Sequence, residues 1–173
     1  MEPDGRPPVQ RAAGHDSVET TLQQEDRYFL DRAIVQALKS AGEGGVPIGA
    51  SLAWRGVLVS EGHNRRQQER TIILHGETDC LMRAGLFGRW KETTLYTTLS
   101  PCMMCSGTIV QFGIRRVVIA DAENFGGNEE FLRTHGVSVE VARDEVMVQV
   151  FRRWKDRNPE IWNGDIGSVD DVG

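Results

Sequence analysis

The stretch "TTLYTTLSPCMMCSGTIVQF", residues 93–112, decides how the chain folds. Its first eight residues are threonine-rich with a tyrosine and two leucines, a composition that fits a half-buried pleated strand. Pro101 stops that strand, and the residues after it read as a helix whose first turn begins at the proline. Cys102 and Cys105 stand at i and i+3, one turn apart on the same helical face. Both lie near the helix N-terminus, where unpaired N–H groups and the helix dipole favour thiolates. A strand that feeds a helix through a turn carrying two thiols is the building unit of an α/β protein.

The same alternation extends in both directions. Upstream, Leu30, Ile34, Ala37, Leu38 and Ala41 recur at helical spacing, and "GEGG" (42–45) ends the run. "VPIGASLAW" (46–54) and "VLVSEGHN" (57–64) read as two strands joined by Arg55-Gly56 in a hairpin. A helix is expected over roughly His75 to Ala84, stopped by Gly85. Downstream, "RRVVIAD" is a strand, "NEEFLRTHG" a short helix, "VSVEVAR" a strand and "DEVMVQVFRRWKD" a helix, while "NPEIWNGDIG" fits no regular pattern. Strands alternating with helices, opened by an antiparallel hairpin, make a three-layer α/β/α sandwich around a mixed sheet of about five strands.

At 173 residues the chain is long enough for one domain with a sizeable core. "MEPDGRPPVQRAAGHDSVE" (1–19) is Pro-, Gly- and charge-rich without periodicity and is expected to be a disordered leader, with a single domain over 20–173. It lacks the apolar core of a signal peptide, and no apolar run approaches a membrane span. The net charge of −5 provides no broad basic field for phosphates, so folded nucleic acid is not the expected partner. The three cysteines, Cys80, Cys102 and Cys105, cluster in a short span, which favours a reducing compartment, metal or thiol chemistry and a cytoplasmic location.

Taken alone, "PCMMC" is open between a redox pair and half of a structural zinc site. His75 in "LHGETDC" (74–80) narrows the choice. Two thiolates and one imidazole supply three protein ligands and leave the fourth tetrahedral position to water, the pattern of a catalytic rather than a structural zinc. Cys80 lies five residues after His75, well round the helix, and reads as a small buried core residue. Glu77 leaves the helix start in another direction. There it can take a proton from a metal-activated water and pass it on. H-x-E followed by P-C-x-x-C is the mark of the zinc nucleobase deaminases.

With "GGVPIGA", "GHNRR", "LHGE", "TTLYTTLSPCMMC", "ENF" and "WNGDIG" in order and at nearly the same spacings, the chain from about Gly44 to Gly167 resembles the fungal-type cytosine deaminases, which have the cytidine-deaminase-like fold. The resemblance implies one catalytic Zn2+ per subunit, a homodimer, and hydrolysis of cytosine to uracil and ammonia. It makes His75, Cys102 and Cys105 the zinc ligands and Glu77 the proton shuttle. It assigns Asn64, the backbone N–H of Gly76 and Asp165 to hydrogen bonds with the base. His63, Phe125 and Trp162 become the aromatic walls and lid, and Ile48 and Leu99 apolar pocket positions. Without the family pattern, Asn64 would more often be a turn residue and Phe125 and Trp162 more often core, and Asp165 could be only a turn residue.

The chain departs from the pattern in three places. The segment between His75 and Cys102 is about two residues shorter, Met103 replaces an acidic residue, and "GGNEE" after Phe125 is a glycine-rich, shortened lid loop. A looser lid bears on which ring is admitted. The rival substrates are isocytosine, creatinine, guanine and the adenosine of tRNA; outside enzymes, the rivals are a structural zinc module and a thiol redox protein.

Overall fold

In the computed structural model, residues 22–167 are described. The expected leader, 1–19, lies outside them. Five strands form one sheet in the order β2-β1-β3-β4-β5. Strands β1 (Gly49–Trp54) and β2 (Val57–His63) pair antiparallel across the Arg55-Gly56 turn, where both residues take positive φ. β1 also runs antiparallel to β3 (Thr93–Leu99), whereas β3, β4 (Arg116–Asp121) and β5 (Ser138–Val141) are mutually parallel. The sheet is mixed, as the sequence led us to expect.

Alternation along the central strands divides the core into two layers. Leu95, Val117 and Ile119 point to one face, where Cys80 and Leu81 of α3 (Gly76–Ala84), Ile109 of α4 (Met103–Phe112) and Leu132 of α5 (Glu129–Thr134) cover them. Tyr96, Val118 and Ala120 point to the other, against Phe29, Leu30, Ala33 and Ala37 of α1 (Gln24–Gly42) and Met147 of α6 (Glu145–Arg157). This is the three-layer α/β/α sandwich. A third cluster, Val46, Ile48, Leu99, Phe151 and Trp162, closes the end of the sheet where the parallel strands terminate. That end is where α/β folds place their ligands.

Three elements differ from the sequence reading. A one-turn helix, α2 (Arg66–Glu69), follows β2. The unclassified tail forms α7 (Pro159–Asp165), which starts on a proline and carries Trp162 and Asp165 inward. Finally, α4 begins at Met103 with Cys102 as its N-cap, so the helix starts two residues after Pro101. Proline N1 chemistry, expected at 101, is found instead at Pro159.

Candidate active site

Two helix N-termini face each other at this end of the sheet. His75 is the N-cap of α3 and Cys102 the N-cap of α4, with Cys105 one turn further in. The start of α3 is fixed locally, because the Thr78 hydroxyl accepts from His75 N–H at 2.9 Å and donates to the Ile73 carbonyl. Helix α3 also lies very close to β2: a Cβ on Gly62 would come within 2.2 Å of Cys80 N. Only glycine permits that approach.

The ligand atoms of His75, Cys102 and Cys105 all lie within 4.8 Å of one another. Cys102 Sγ and His75 Nδ1 are 3.5 Å apart. Tetrahedral coordination with ordinary Zn–S and Zn–N bonds puts such a sulfur and nitrogen about 3.5 Å apart, so the trio fits a zinc ion. The electrostatics of the chain agree. The hydrogen bond from Cys105, reinforced by His75, holds the Cys102 thiol down at about 4. Burial alone would lower His75, but the Cys102 hydrogen bond and the Asp165 and Glu77 carboxylates bring it up to about 9. The Cys102 partnership and burial push Cys105 well above the usual thiol range. The protons shared among these groups are the ones a divalent cation displaces. Cys80 is fully buried and its thiol is pushed up to about 12, chiefly by burial, which fits a core residue.

Glu77 is 3 % exposed. Burial, and then the Cys102 thiolate, raise its carboxyl to about 7. Its Oε2 accepts from Cys105 Sγ at 3.4 Å and its Oε1 from Thr97 Oγ1 at 3.3 Å. The cavity is lined by Ile48, His75, Glu77, Leu99, Ser100, Cys102, Phe125, Trp162, Asp165 and Ile166, and its free space is about 10 Å³. Phe125 and Trp162 meet edge to face at 5.6 Å.

Eight of the twelve residues singled out from the sequence therefore line one cavity, and Cys105 joins them through Glu77. Asn64 lies one contact away: fully buried, it donates from Nδ2 to Asp165 Oδ1 at 2.9 Å, while its Oδ1 accepts from Arg66 N–H. Gly76 is packed under Ile48, and its N–H, in the first turn of α3, has no intrahelical acceptor. His63 is placed elsewhere. Its ring is bonded to Gln36 Oε1 at 3.2 Å and Glu43 Oε2 at 3.0 Å, turned toward α1 and away from the cavity.

Sequence reasoning missed several residues. Ser100 and Ile166 line the cavity, and among the described residues the buried Ser100 hydroxyl has no partner. Asp79 is fully buried and accepts from His63 N–H, Arg65 Nη1 and Arg83 Nε, which ties the backbone before Asn64 and the guanidinium after it to α3. Asp121 accepts from the backbone N–H groups of Glu123 and Asn124 and from Asn124 Nδ2, and so shapes the turn that delivers Phe125. The available signal was the acidic residue at the end of a parallel strand.

Residues 23–121 match the model of the cytidine and deoxycytidylate deaminase zinc-binding region. The chain belongs to this deaminase family. It is 42% identical over 146 residues to a cytosine deaminase of Candida albicans, covering 83% of this chain and 97% of that protein. It is 32% identical over 150 residues to a tRNA-specific adenosine deaminase of Streptococcus pyogenes, covering 78% and 94%. Among solved structures, the guanine deaminase from Nitrosomonas europaea superposes with a TM-score of 0.65 at 21% identity, over 78% of this chain and 85% of that one, a likeness of fold. His75, Cys102 and Cys105 are the trio that could hold the zinc of this family's zinc-binding region. Among the described residues no helix is long and apolar enough to cross a membrane.

Proposed function

We propose that the chain is a zinc-dependent aminohydrolase that converts cytosine to uracil and ammonia. The observation that carries the reading is a buried carboxylate, Glu77, set against a zinc-ligand trio in a cavity walled by Phe125 and Trp162. The 42% identity to a cytosine deaminase over nearly that protein's full length supports cytosine over the larger substrates. Zinc bound by His75, Cys102 and Cys105 would supply the Lewis acidity that makes water a nucleophile at neutral pH.

The rest of the work falls to the chain. Glu77 takes one proton of the attacking water and delivers it to the ring nitrogen beside the reacting carbon, then takes the second from the hydroxyl newly bound to that carbon and gives it to the departing amine. Its carboxyl is buried beside the trio, within reach of a water there, and is placed to act as base and then as acid. Asp165, held by Asn64, faces the cavity as an acceptor for the ring N–H and amino group, and the Gly76 N–H is the donor to the ring carbonyl. Ile48 and Leu99 pack on the ring. A free space of about 10 Å³ holds about one water, so a ring enters only when Phe125, Trp162 and Ile166 move outward. Closure then excludes bulk water.

Exposed Ile72, Ile73, Met82, Leu86, Met103 and Phe112 on and beside α3 and α4 support a homodimer, because apolar side chains so grouped tend to be covered by a partner. The single domain expected over 20–173 and a cytoplasmic location complete the reading.

The test is ammonia release by the zinc-loaded protein with cytosine, isocytosine, creatinine, guanine, adenine and cytidine side by side, with light scattering for the dimer. Cytosine is expected to be the preferred substrate. Glu77→Gln should keep its zinc and lose roughly 10² to 10⁴ in turnover. Activity on cytidine but not cytosine overturns the free-base reading.

A further inference from the structure

The two oxygens of Glu77 have different neighbours. Oε2 lies on the side of the zinc ligands, 3.4 Å from Cys105 Sγ, and Oε1 lies 3.3 Å from Thr97 Oγ1. Among the described residues, Thr97 is the carboxylate's only side-chain hydrogen-bond partner that is not a zinc ligand. A glutamate has three rotatable bonds, and nothing in a helix start fixes the outer ones.

Thr97 is well placed to fix them. It sits in the middle of the sheet, paired with Ala50 of β1 on one side and Ile119 of β4 on the other, and is fully buried. Its neighbours on the same face of β3 are Leu95 and Leu99, so a valine would fit this row by size and by apolar character. A hydroxyl in such a place costs free energy unless it is bonded. Here it has two acceptors in reach, the Leu99 carbonyl at 3.0 Å and Glu77 Oε1 at 3.3 Å. The hydroxyl has one proton to donate, and the two acceptors share it in a three-centre arrangement that ties Glu77 Oε1 to the Leu99 carbonyl of β3.

We propose that Thr97 is a positioning residue for the deamination: its hydroxyl holds Oε1 of Glu77 against β3, which keeps Oε2 aimed at the space beside His75, Cys102 and Cys105. The proposal rests on the reading of Glu77 as proton shuttle. The chemistry tolerates little slack, since a misplacement of about 1 Å can cost on the order of 100-fold in rate.

The experiment compares zinc-loaded wild type, Thr97→Val, Thr97→Ser, Glu77→Gln and the double variant Glu77→Gln/Thr97→Val for kcat, KM, bound zinc and thermal midpoint. Thr97→Val is expected to lower kcat by about 10- to 100-fold, with KM within about threefold and zinc content unchanged. Thr97→Ser should restore kcat to within about threefold of wild type, and Thr97→Val should change nothing further in the Glu77→Gln background. A Thr97→Val enzyme with wild-type kcat overturns the proposal. So does a loss that serine does not rescue, or one of equal size in the Glu77→Gln background. Wild-type turnover by Glu77→Gln itself overturns the shuttle reading, a separate result. If the valine variant does not fold, Thr97→Ala replaces it, and an alanine variant as active as the serine variant overturns the proposal.

Discussion

Replacing Gly62 by alanine puts one methyl group where β2 and α3 touch. The added Cβ would lie 2.2 Å from Cys80 N and 2.7 Å from both Cys80 Cα and Asp79 C. Ordinary contacts between heavy atoms are about 3.5 Å, and all three neighbours are backbone, so no side chain can swing away and the helix must retreat by about 1 Å. That displacement has a structural cost of about 1 to 3 kcal/mol for overpacking. It also moves His75 and Glu77, which ride on the start of the same helix, relative to Cys102 and Cys105 on α4, and a shift of that size costs on the order of 100-fold in rate. Gly107→Ala is the matched control. Gly107 lies on the exposed side of α4 with nothing within 4 Å of its would-be Cβ. There the same chemical change should leave kcat unaltered and stabilise the helix by up to about 1 kcal/mol. Denaturation midpoints, zinc stoichiometry and turnover of both variants form the assay. A Gly62→Ala protein with wild-type activity and stability would refute the argument that the close approach of α3 to β2 sets the geometry of the site.

Two further predictions concern charge. Asp26 is buried at the other end of the sheet, where hydrogen bonds from Arg116 at 2.5 and 2.9 Å, and then from Tyr96, hold its carboxyl below the ordinary value of 3.8. Because the folded value is the lower one, the stabilisation is complete above about pH 4 and is lost as pH falls through the folded value. Asp26→Asn should therefore flatten acid unfolding below pH 4 and lower stability at pH 7 by about 1 to 2 kcal/mol, read by urea titration across pH. Removal of zinc with a chelator should abolish turnover and leave Cys102, with its thiol near 4, as the thiol that iodoacetamide labels, while Cys80, near 12 and fully buried, stays unlabelled. Peptide mapping before and after zinc is restored checks this; labelling spread evenly over all three cysteines would contradict it.

Much of the fold was legible because its signals are local. The threonine-rich run before Pro101 and the 3.6-residue period of α1 each reflect chain physics within a few residues. The candidate ligand trio was legible for a different reason: few residue types bind zinc, and the short motifs that carry His75, Cys102 and Cys105 can be read whatever the length of the segment between them. What was hidden depends on contacts across the fold. Helix α7 could not be read from "NPEIWNGDIG" because it is short and is held by Trp162 packing on Phe151 and Phe125, residues that come from other elements. The resemblance put His63 in the wall. It is the last residue of β2, and its ring lies on the α1 side, bonded to Gln36 and Glu43, a placement set by packing between elements. Asp79 gave no sign of its role, since its partners beyond its own helix are the His63 N–H and the Arg65 guanidinium, whose approach depends on how β2 lies across α3.

The placement of the ligand trio has a consequence for the life of the protein in a cell. His75 and Cys102 are 27 residues apart, and the chain between them makes all of α3 and β3. An ion that joins them is a cross-link as well as a reagent: it closes a long loop and removes freedom from the unfolded chain much as a disulfide would. Zinc starvation should then reduce the amount of this protein as well as its activity, because the apoprotein opens more often and is degraded while open.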